Sequence, residues 1–142
     1  MSKIAVIYWS GTGNTQAMAE AVTEGAKAAG AEAELFTVDA ITADAAAGYD
    51  KLALGCPAMG AEVLEEAEFE PFFTDLEGRL APKPVAIFGS YGWGDGQWIR
   101  DWQERVEDSG AALCGEALMI HETPDEDGLA QCRALGETLA KA

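Results

Sequence analysis

The chain alternates short apolar segments with amphipathic segments along its length, and this alternation constrains its fold more than any other feature. Segments 51–55 (KLALG) and 85–89 (VAIFG) are apolar at almost every position, which is typical of parallel strands covered on both faces. Helical periodicity lies between the apolar segments, as at Ile99, Trp102 and Val106. The pattern predicts βαβ units that build a doubly wound parallel sheet.

Five strands and four main helices follow from these patterns, and the 142 residues suit one domain over 1–142. The connection 39–50 has weaker periodicity, and one short helix is expected there after Ile41. The predicted strands are 3–9, about 32–38, 51–55, 84–91 and about 111–120. The predicted helices lie near 13–29, 68–79, 96–109 and 125–141.

A glycine-rich turn, SGTGNT, stands between the first predicted strand and the first predicted helix. A helix start offers unpaired backbone N–H groups and the positive end of the helix dipole, and glycines let a ligand come close. Such a turn binds phosphate, here with neutral donors because it contains no Lys or Arg. Its residues are Ser10, Gly11, Thr12, Gly13, Asn14 and Thr15.

The loop after the third predicted strand, 55–62 (GCPAMGAE), combines three useful side-chain and backbone properties. Met59 offers a polarizable, flat-packing side chain. Gly60 permits either orientation of its peptide at low cost, and Glu62 can accept a hydrogen bond from an imide-type N–H. Taken alone, this loop also fits an ordinary strand-to-helix connection.

The loop after the fourth predicted strand, 89–96 (GSYGWGDG), presents a tryptophan between glycines. The ring of Trp93 is suited to stack on another aromatic system, or to plug the turn. Loops at the carboxyl ends of parallel strands meet beside the switch point of a doubly wound sheet. Together the three loops describe a phosphate cup, two flat faces, a flexible peptide and donors for a polar ring edge. Flavin mononucleotide (FMN) fits that description.

With these motifs the chain resembles the short-chain flavodoxins over essentially its whole length. The resemblance rests on SGTGNT, CPAMGAE and GSYGWGDG at matching spacing. It implies an α/β fold with a three-layer, doubly wound, five-stranded parallel sheet of order 2-1-3-4-5. It also implies an electron carrier, not an enzyme, whose non-covalently bound FMN cycles at low potential between semiquinone and hydroquinone.

The same resemblance implies a role for individual residues. Met59 covers the inner face of the flavin and Trp93 the outer face, the Gly60 carbonyl turns toward N5, and Glu62 receives the N3 proton. Pro57 has no N–H, which shifts the phosphate contacts to the first loop. The implied FMN-binding residues are Ser10, Gly11, Thr12, Gly13, Asn14, Thr15, Ala58, Met59, Gly60, Glu62, Ser90, Tyr91, Gly92, Trp93 and Gly94.

The formal net charge of −16, from 25 acids and 9 bases, argues against nucleic acid and anionic membranes as partners. Basic redox proteins that dock at an acidic flavin edge are expected instead. The acids that follow the second loop form either this docking surface or a solvated helix start. They are Glu62, Glu65, Glu66, Glu68 and Glu70.

Three further expectations concern the environment of the chain. Because no apolar leader or membrane-length run is present, a cytoplasmic location is expected, and a monomer is the default expectation. Cys56, Cys114 and Cys132 form no C-x-x-C pair and are expected to be buried, reduced thiols. His121 has no companion at metal-ligand spacing, so no metal site is expected.

Two other classes of protein share this topology. An FMN-dependent quinone or azo reductase needs a dimer-built pocket and a nicotinamide site, and the chain carries no second nucleotide motif. A receiver domain needs an acidic pair after strand one and an aspartate after strand three. Here Trp9, Ser10, Cys56 and Pro57 stand at those places. A low-molecular-weight phosphatase needs C-x-x-x-x-x-R in its first loop, and that motif is absent.

Overall fold

Alternate residues of the first strand, β1 (Lys3–Tyr8), enter two separate hydrophobic cores. Ala5 and Ile7 are buried in one core, and Ile4 and Val6 are buried in the other. Successive side chains of a strand point to opposite faces, so both faces of the sheet must be covered. This arrangement agrees with the double coverage predicted from the apolar segments.

The computed structural model describes residues 2–11, 13–59, 63–92 and 94–142, and strands and helices alternate in it as predicted. The main helices lie within two residues of their predicted bounds. Beside β1, the strands are β2 (Glu32–Thr37), β3 (Lys51–Gly55), β4 (Pro84–Tyr91), β5 (Ala112–Leu113) and β6 (Leu118–His121). The helices are α1 (Asn14–Ala28), α2 (Ala43–Ala47), α3 (Phe69–Glu77), α4 (Gln97–Asp108) and α5 (Glu126–Lys141), with a 3-10 turn at Val38–Ala40.

The strands pair in the order β2-β1-β3-β4-β5, with β6 also against β4, and every pairing between these strands is parallel. The predicted order 2-1-3-4-5 is therefore confirmed. The order reverses between β1 and β3, which lie side by side although β2 separates them in sequence. A crevice for a ligand is expected at the carboxyl ends of the strands beside this switch point.

The fifth strand is broken in two, where the sequence predicted one strand over about 111–120. The segment β5 pairs with Pro84 and Val85 at the beginning of β4, and β6 pairs with the end of β4. Between them Gly115 has φ +70, a left-handed conformation that cannot continue an extended strand. The two segments together fill the fifth position, so the topology is unchanged.

Helices α1 and α5 cover one face of the sheet, and α3 and α4 cover the other. Trp98 and Trp102 on α4 are each 1% exposed, so both belong to the core. The start of α5 also agrees with the sequence, because the Asp125 carboxylate accepts a hydrogen bond from Gly128 N at 2.8 Å. Acids in this first turn need no role beyond favourable contact with the helix dipole.

The expected state of the thiols is confirmed, since Cys56, Cys114 and Cys132 are buried and free. Burial raises the pKa of Cys132 to about 12. Within the described residues, no group of His, Cys, Asp and Glu could hold a metal ion. None of the described helices is long and apolar enough to cross a bilayer.

Candidate functional site

A cavity of about 370 Å³ opens where the loops after β1, β3 and β4 meet. A space of this size lies within the range of small-molecule sites. All three predicted loops contribute to its wall, so their convergence is confirmed. The described residues that line it are Trp9, Gly11, Asn14, Pro57, Ala58, Met59, Ser90, Tyr91, Gly92 and Glu122.

The first loop leads into the start of α1, which has no side-chain cap and no acid in its first turn. Gly13 is the N-cap, with φ +94, and its N–H donates to Ser10 Oγ at 3.0 Å. A Cβ on Gly11 would lie 3.1 Å from the Trp9 ring, so the chain packs closely on this indole. No acid of this turn neutralises the positive end of the α1 dipole, which can therefore receive an anion.

Thr15 joins the first loop to the third. Thr15 is 1% exposed, and its Oγ1 accepts a hydrogen bond from Ser90 N at 3.4 Å. A hydroxyl that accepts still has its own proton to donate. The bond therefore fixes the distance between two walls of the cavity and is compatible with the predicted donor role.

The second loop is held at both ends by backbone hydrogen bonds. At its beginning, Ala58 N donates to Ser90 O at 3.1 Å. At its end, Met59 and Val63 form an antiparallel bridge, with both N–H···O distances at 3.0 Å. The Met59 side chain, which lines the cavity, thus projects from a backbone that is anchored on either side.

The third loop is tied to the end of β6. His121 Nε2 lies 3.1 Å from Gly92 O, and its ring centroid lies 5.1 Å from that of Tyr91. Gly94 and Gly96 have φ values of +84 and +92, which only glycine adopts at low cost. The glycine spacing of this loop is therefore required by its backbone path into α4.

The structure brings together seven of the residues predicted from the sequence. Gly11, Asn14, Ala58, Met59, Ser90, Tyr91 and Gly92 all line the cavity. Of the other described candidates, Ser10, Gly13, Thr15 and Gly94 are not in its wall. Thr12, Gly60, Glu62 and Trp93 lie outside the described residues, so their roles stay predictions.

Three residues of the wall were not among the predicted binding residues: Trp9, Pro57 and Glu122. Trp9 and Pro57 adjoin predicted residues in the chain. Glu122 follows β6, and the rule that ligands bind at carboxyl ends of strands would have indicated it had it been applied to the fifth strand. The Trp9 indole also donates from Nε1 to Glu68 Oε1 at 3.1 Å, which links the first loop to the start of α3.

The described acids after the second loop differ in burial and in hydrogen-bond partners. Glu65 is only 7% exposed, and its carboxylate accepts from the N–H groups of Ala67, Glu68 and Phe69 at 2.7–2.9 Å. Burial alone would raise the pKa of Glu65, but these three bonds outweigh burial, and its pKa lies below the ordinary value. Glu65 therefore caps the start of α3 and, being buried, does not belong to the predicted docking surface.

Glu70 is also occupied, because both its oxygens accept from Arg105, at 2.7 and 3.0 Å. These bonds lower the pKa of Glu70 and, together with those to Glu77, raise that of Arg105. Glu66 and Glu68 are both exposed, and the Glu68 carboxylate accepts from the Trp9 indole. Among the described members of the predicted cluster, Glu66 is exposed and makes no hydrogen bond or ion pair with another described residue.

Replacement of Glu65 by Gln is expected to lower the free energy of unfolding at pH 7 by about 2 kcal/mol, because a charged acceptor of three N–H groups is lost. The pKa of Glu65 is lower in the folded than in the unfolded chain. Its carboxylate therefore stabilises the fold fully above about pH 4.5. This stabilisation is lost as the pH falls through the folded-state pKa. Urea unfolding between pH 7 and pH 3 measures this.

The matched control is Glu66→Gln, one residue along the chain and exposed. That change should alter the stability little at either pH. A difference between Glu65→Gln and wild type that stays constant down to pH 3 would contradict the ionised-cap assignment.

Comparison with known proteins gives consistent matches over most of the chain. A family model described as flavodoxin matches residues 6–136. The chain is 48% identical over 139 residues to a flavodoxin of Megasphaera elsdenii, covering 98% of this chain and 99% of that protein. It is 46% identical to a flavodoxin of Clostridium beijerinckii, covering 85% and 88%. The solution structure of two-electron reduced Megasphaera elsdenii flavodoxin matches with a TM-score of 0.89 at 48% identity, over 98% and 99% of the two chains.

Proposed function

This chain belongs to the flavodoxin family, and we propose that the three-loop cavity holds the FMN of a one-electron carrier. As a flavodoxin it is an electron-transfer protein with FMN as its cofactor and is not an enzyme. When bound, FMN takes up and releases electrons one at a time. The observation that carries the assignment of the site is one cavity lined by all three loops at the start of α1.

The described residues fit the phosphate end of FMN. Asn14 lines the cavity in the first turn of α1, and that turn carries no carboxylate that would repel a phosphate. Neither Lys nor Arg is among the described lining residues. The helix dipole, the backbone N–H groups and neutral side chains would therefore hold the dianion.

The other part of the wall fits a flat, partly apolar ring system. Ala58, Met59 and Tyr91 supply apolar surface, and the backbone on both sides of Met59 is anchored by hydrogen bonds. An anchored wall loses little conformational entropy when a ligand binds. We assign these residues to exclude water from the ring and orient it. The roles of Gly60, Glu62 and Trp93 remain predictions from the resemblance.

Reconstitution tests this assignment directly. Apoprotein is titrated with FMN, whose fluorescence should be quenched at one equivalent, and the complex is then reduced anaerobically. Uptake of two electrons in two separate stages, with a paramagnetic signal at half reduction, is the expected result. Failure to take up FMN would refute the site. Steady oxidation of NADH by the purified protein would favour the reductase alternative.

Redox proteins are the partners of this chain, and we propose that they are basic and dock at the carboxyl edge of the sheet. The bases of the protein lie mainly at the opposite edge. Lys3 and Lys51 stand at the beginning of strands, Lys83 directly precedes β4, and Lys27 and Lys141 stand in the last turns of helices. Because these helices run antiparallel to the strands, their last turns also lie at the amino edge.

The carboxyl edge carries exposed acids instead: Glu66, Glu122, Glu126 and Asp127. Arg100 lies near this edge, but its guanidinium is paired with Asp95 Oδ1 at 3.1 Å. A basic partner would therefore be attracted toward the proposed flavin edge from a distance. The expected monomeric state and cytoplasmic location rest on the sequence alone.

Charge reversal tests the docking surface. The double variant Glu66→Lys/Asp127→Lys should reduce cytochrome c, used as a basic acceptor, about tenfold more slowly at low ionic strength. The control Glu104→Lys/Glu107→Lys makes the same change in charge toward the far end of α4 and should stay within about twofold of wild type. The stopped-flow rates of both variants and the wild type should converge as the salt concentration rises. Equal slowing by both variants would show that net charge, and not this edge, sets the rate.

A further inference from the structure

Two tryptophans on α4 are alike in burial but differ in what their indole N–H groups do. Trp98 and Trp102 are each 1% exposed. Trp98 Nε1 donates to Cys56 O at 3.0 Å, whereas Trp102 Nε1 has no hydrogen-bond partner among the described residues. Both belong to the same core, so burial alone does not account for the bond that Trp98 makes.

The acceptor of this bond lies where β3 passes into the wall of the cavity. Cys56 N donates to Phe88 O and Ala58 N donates to Ser90 O, both at 3.1 Å, so the ladder to β4 continues at alternate residues. Pro57 stands between them and has no N–H. The Cys56–Pro57 peptide therefore has one hydrogen-bonding group, the Cys56 carbonyl, and Trp98 is its donor.

The packing around this carbonyl leaves little freedom. A Cβ on Gly89 would overlap the Cys56 oxygen, so β4 approaches it directly from one side. The ring of Trp98 also contacts the ring of Tyr91, with centroids 5.7 Å apart. The Trp98 side chain thus contacts the residue that precedes one wall (Pro57, Ala58 and Met59) and also contacts the opposite wall at Tyr91.

We propose that Trp98 is a positioning residue for the cofactor, whose Nε1–H fixes the orientation of the Cys56–Pro57 peptide and thereby the spacing of the two cavity walls. The proposal rests on the proposed function, because the spacing matters for a flat ligand held between the walls. Trp98 does not line the cavity and acts through Cys56 and Tyr91.

The variants Trp98→Phe and Trp102→Phe make the same chemical change at two equally buried positions of one helix. Trp98→Phe is expected to weaken FMN binding about fivefold, the effect of one lost net hydrogen bond. It should also shift the one-electron reduction potentials and the visible circular dichroism of bound FMN. Trp102→Phe should stay within about twofold of the wild-type affinity and leave the potentials and the spectrum unchanged.

Urea unfolding of each apoprotein separates positioning from stability. The proposal would be overturned if both variants lost FMN affinity equally and in proportion to their loss of stability. It would also be overturned if Trp98→Phe kept the wild-type affinity and potentials. If Trp98→Phe does not fold, 3-benzothienylalanine at position 98 keeps the fused ring and removes only the N–H, and the same outcomes decide. Failure of the wild-type protein to bind FMN would refute the proposed function itself.

Discussion

The variant Asn14→Asp is expected to bind FMN about a hundredfold more weakly than wild type, while its apoprotein stays at least as stable. Asn14 lines the cavity in the first turn of α1, where the phosphate is proposed to sit. Two unit charges about 5 Å apart repel by about 3 kcal/mol at an effective dielectric constant of about 20, a factor above one hundred. The substitution is nearly isosteric and adds one negative charge.

The same charge should favour the folded apoprotein, because an acid in the first turn interacts favourably with the helix dipole. That contribution is about 0.3–1 kcal/mol at an exposed site. Affinity and stability are therefore expected to move in opposite directions, which a general disturbance of the loop would not produce. FMN fluorescence titration gives the affinity, and urea unfolding of the apoprotein gives the stability.

Two controls isolate the phosphate. Gln16→Glu adds the same charge in the same turn, but Gln16 is exposed and lines a neighbouring cavity, so a smaller loss of FMN affinity is expected. Riboflavin, which lacks the phosphate, should bind wild type and Asn14→Asp about equally. Equal losses for FMN and riboflavin would place the phosphate elsewhere.

The variant Gly25→Ala should lower the free energy of unfolding by about 2–3 kcal/mol, although alanine favours helices more than glycine does. A Cβ on Gly25 would overlap the carbonyl of Arg133 on α5. The contact is reciprocal, because a Cβ on Gly136 of α5 would overlap the carbonyl of Val22 on α1. The obstructing atoms belong to the backbone and cannot rotate away, so the two helices must separate.

The matched control is Gly78→Ala at the end of α3, where no atom lies within 4 Å of the added Cβ and φ is −76. There alanine should be neutral or stabilise by about 0.4–1 kcal/mol, by restricting the unfolded chain. Urea unfolding of both variants tests the contrast. A similar effect at the two glycines would mean that α1 and α5 are not in backbone contact.

Much of the fold follows from local patterns of residues. Continuous apolar segments indicate buried parallel strands, and the start of α5 is visible in Asp125 and the acids after it. These features depend on neighbours in sequence. The break in the fifth strand was not predicted, because apolar residues stand on both sides of Gly115 in the sequence. The conformation of this glycine depends on the two separate pairings of the chain with β4.

The cavity was also largely predictable, for a different reason. Parallel strands bring their carboxyl ends to one edge, so loops that are distant in sequence meet whenever the strand order is right. The turn 10–15 and the residues Met59 and Tyr91 could therefore be placed at one site. Trp9 and Glu122 directly follow β1 and β6, so the same rule covers both, but neither belongs to one of the motifs.

The sequence by itself determined the layers and the edge that carries the site, because periodicity and turn chemistry are local, and its resemblance to the flavodoxins supplied the strand order. Only the tertiary structure decided what identical residue types do there. Glu65 and Glu66 are neighbours, yet one caps α3 and the other faces solvent. Trp98 and Trp102 share a helix face, yet within the described part of the chain the indole N–H of Trp98 has an acceptor and that of Trp102 has none. Such assignments depend on which backbone groups distant segments leave nearby, and that is settled by folding.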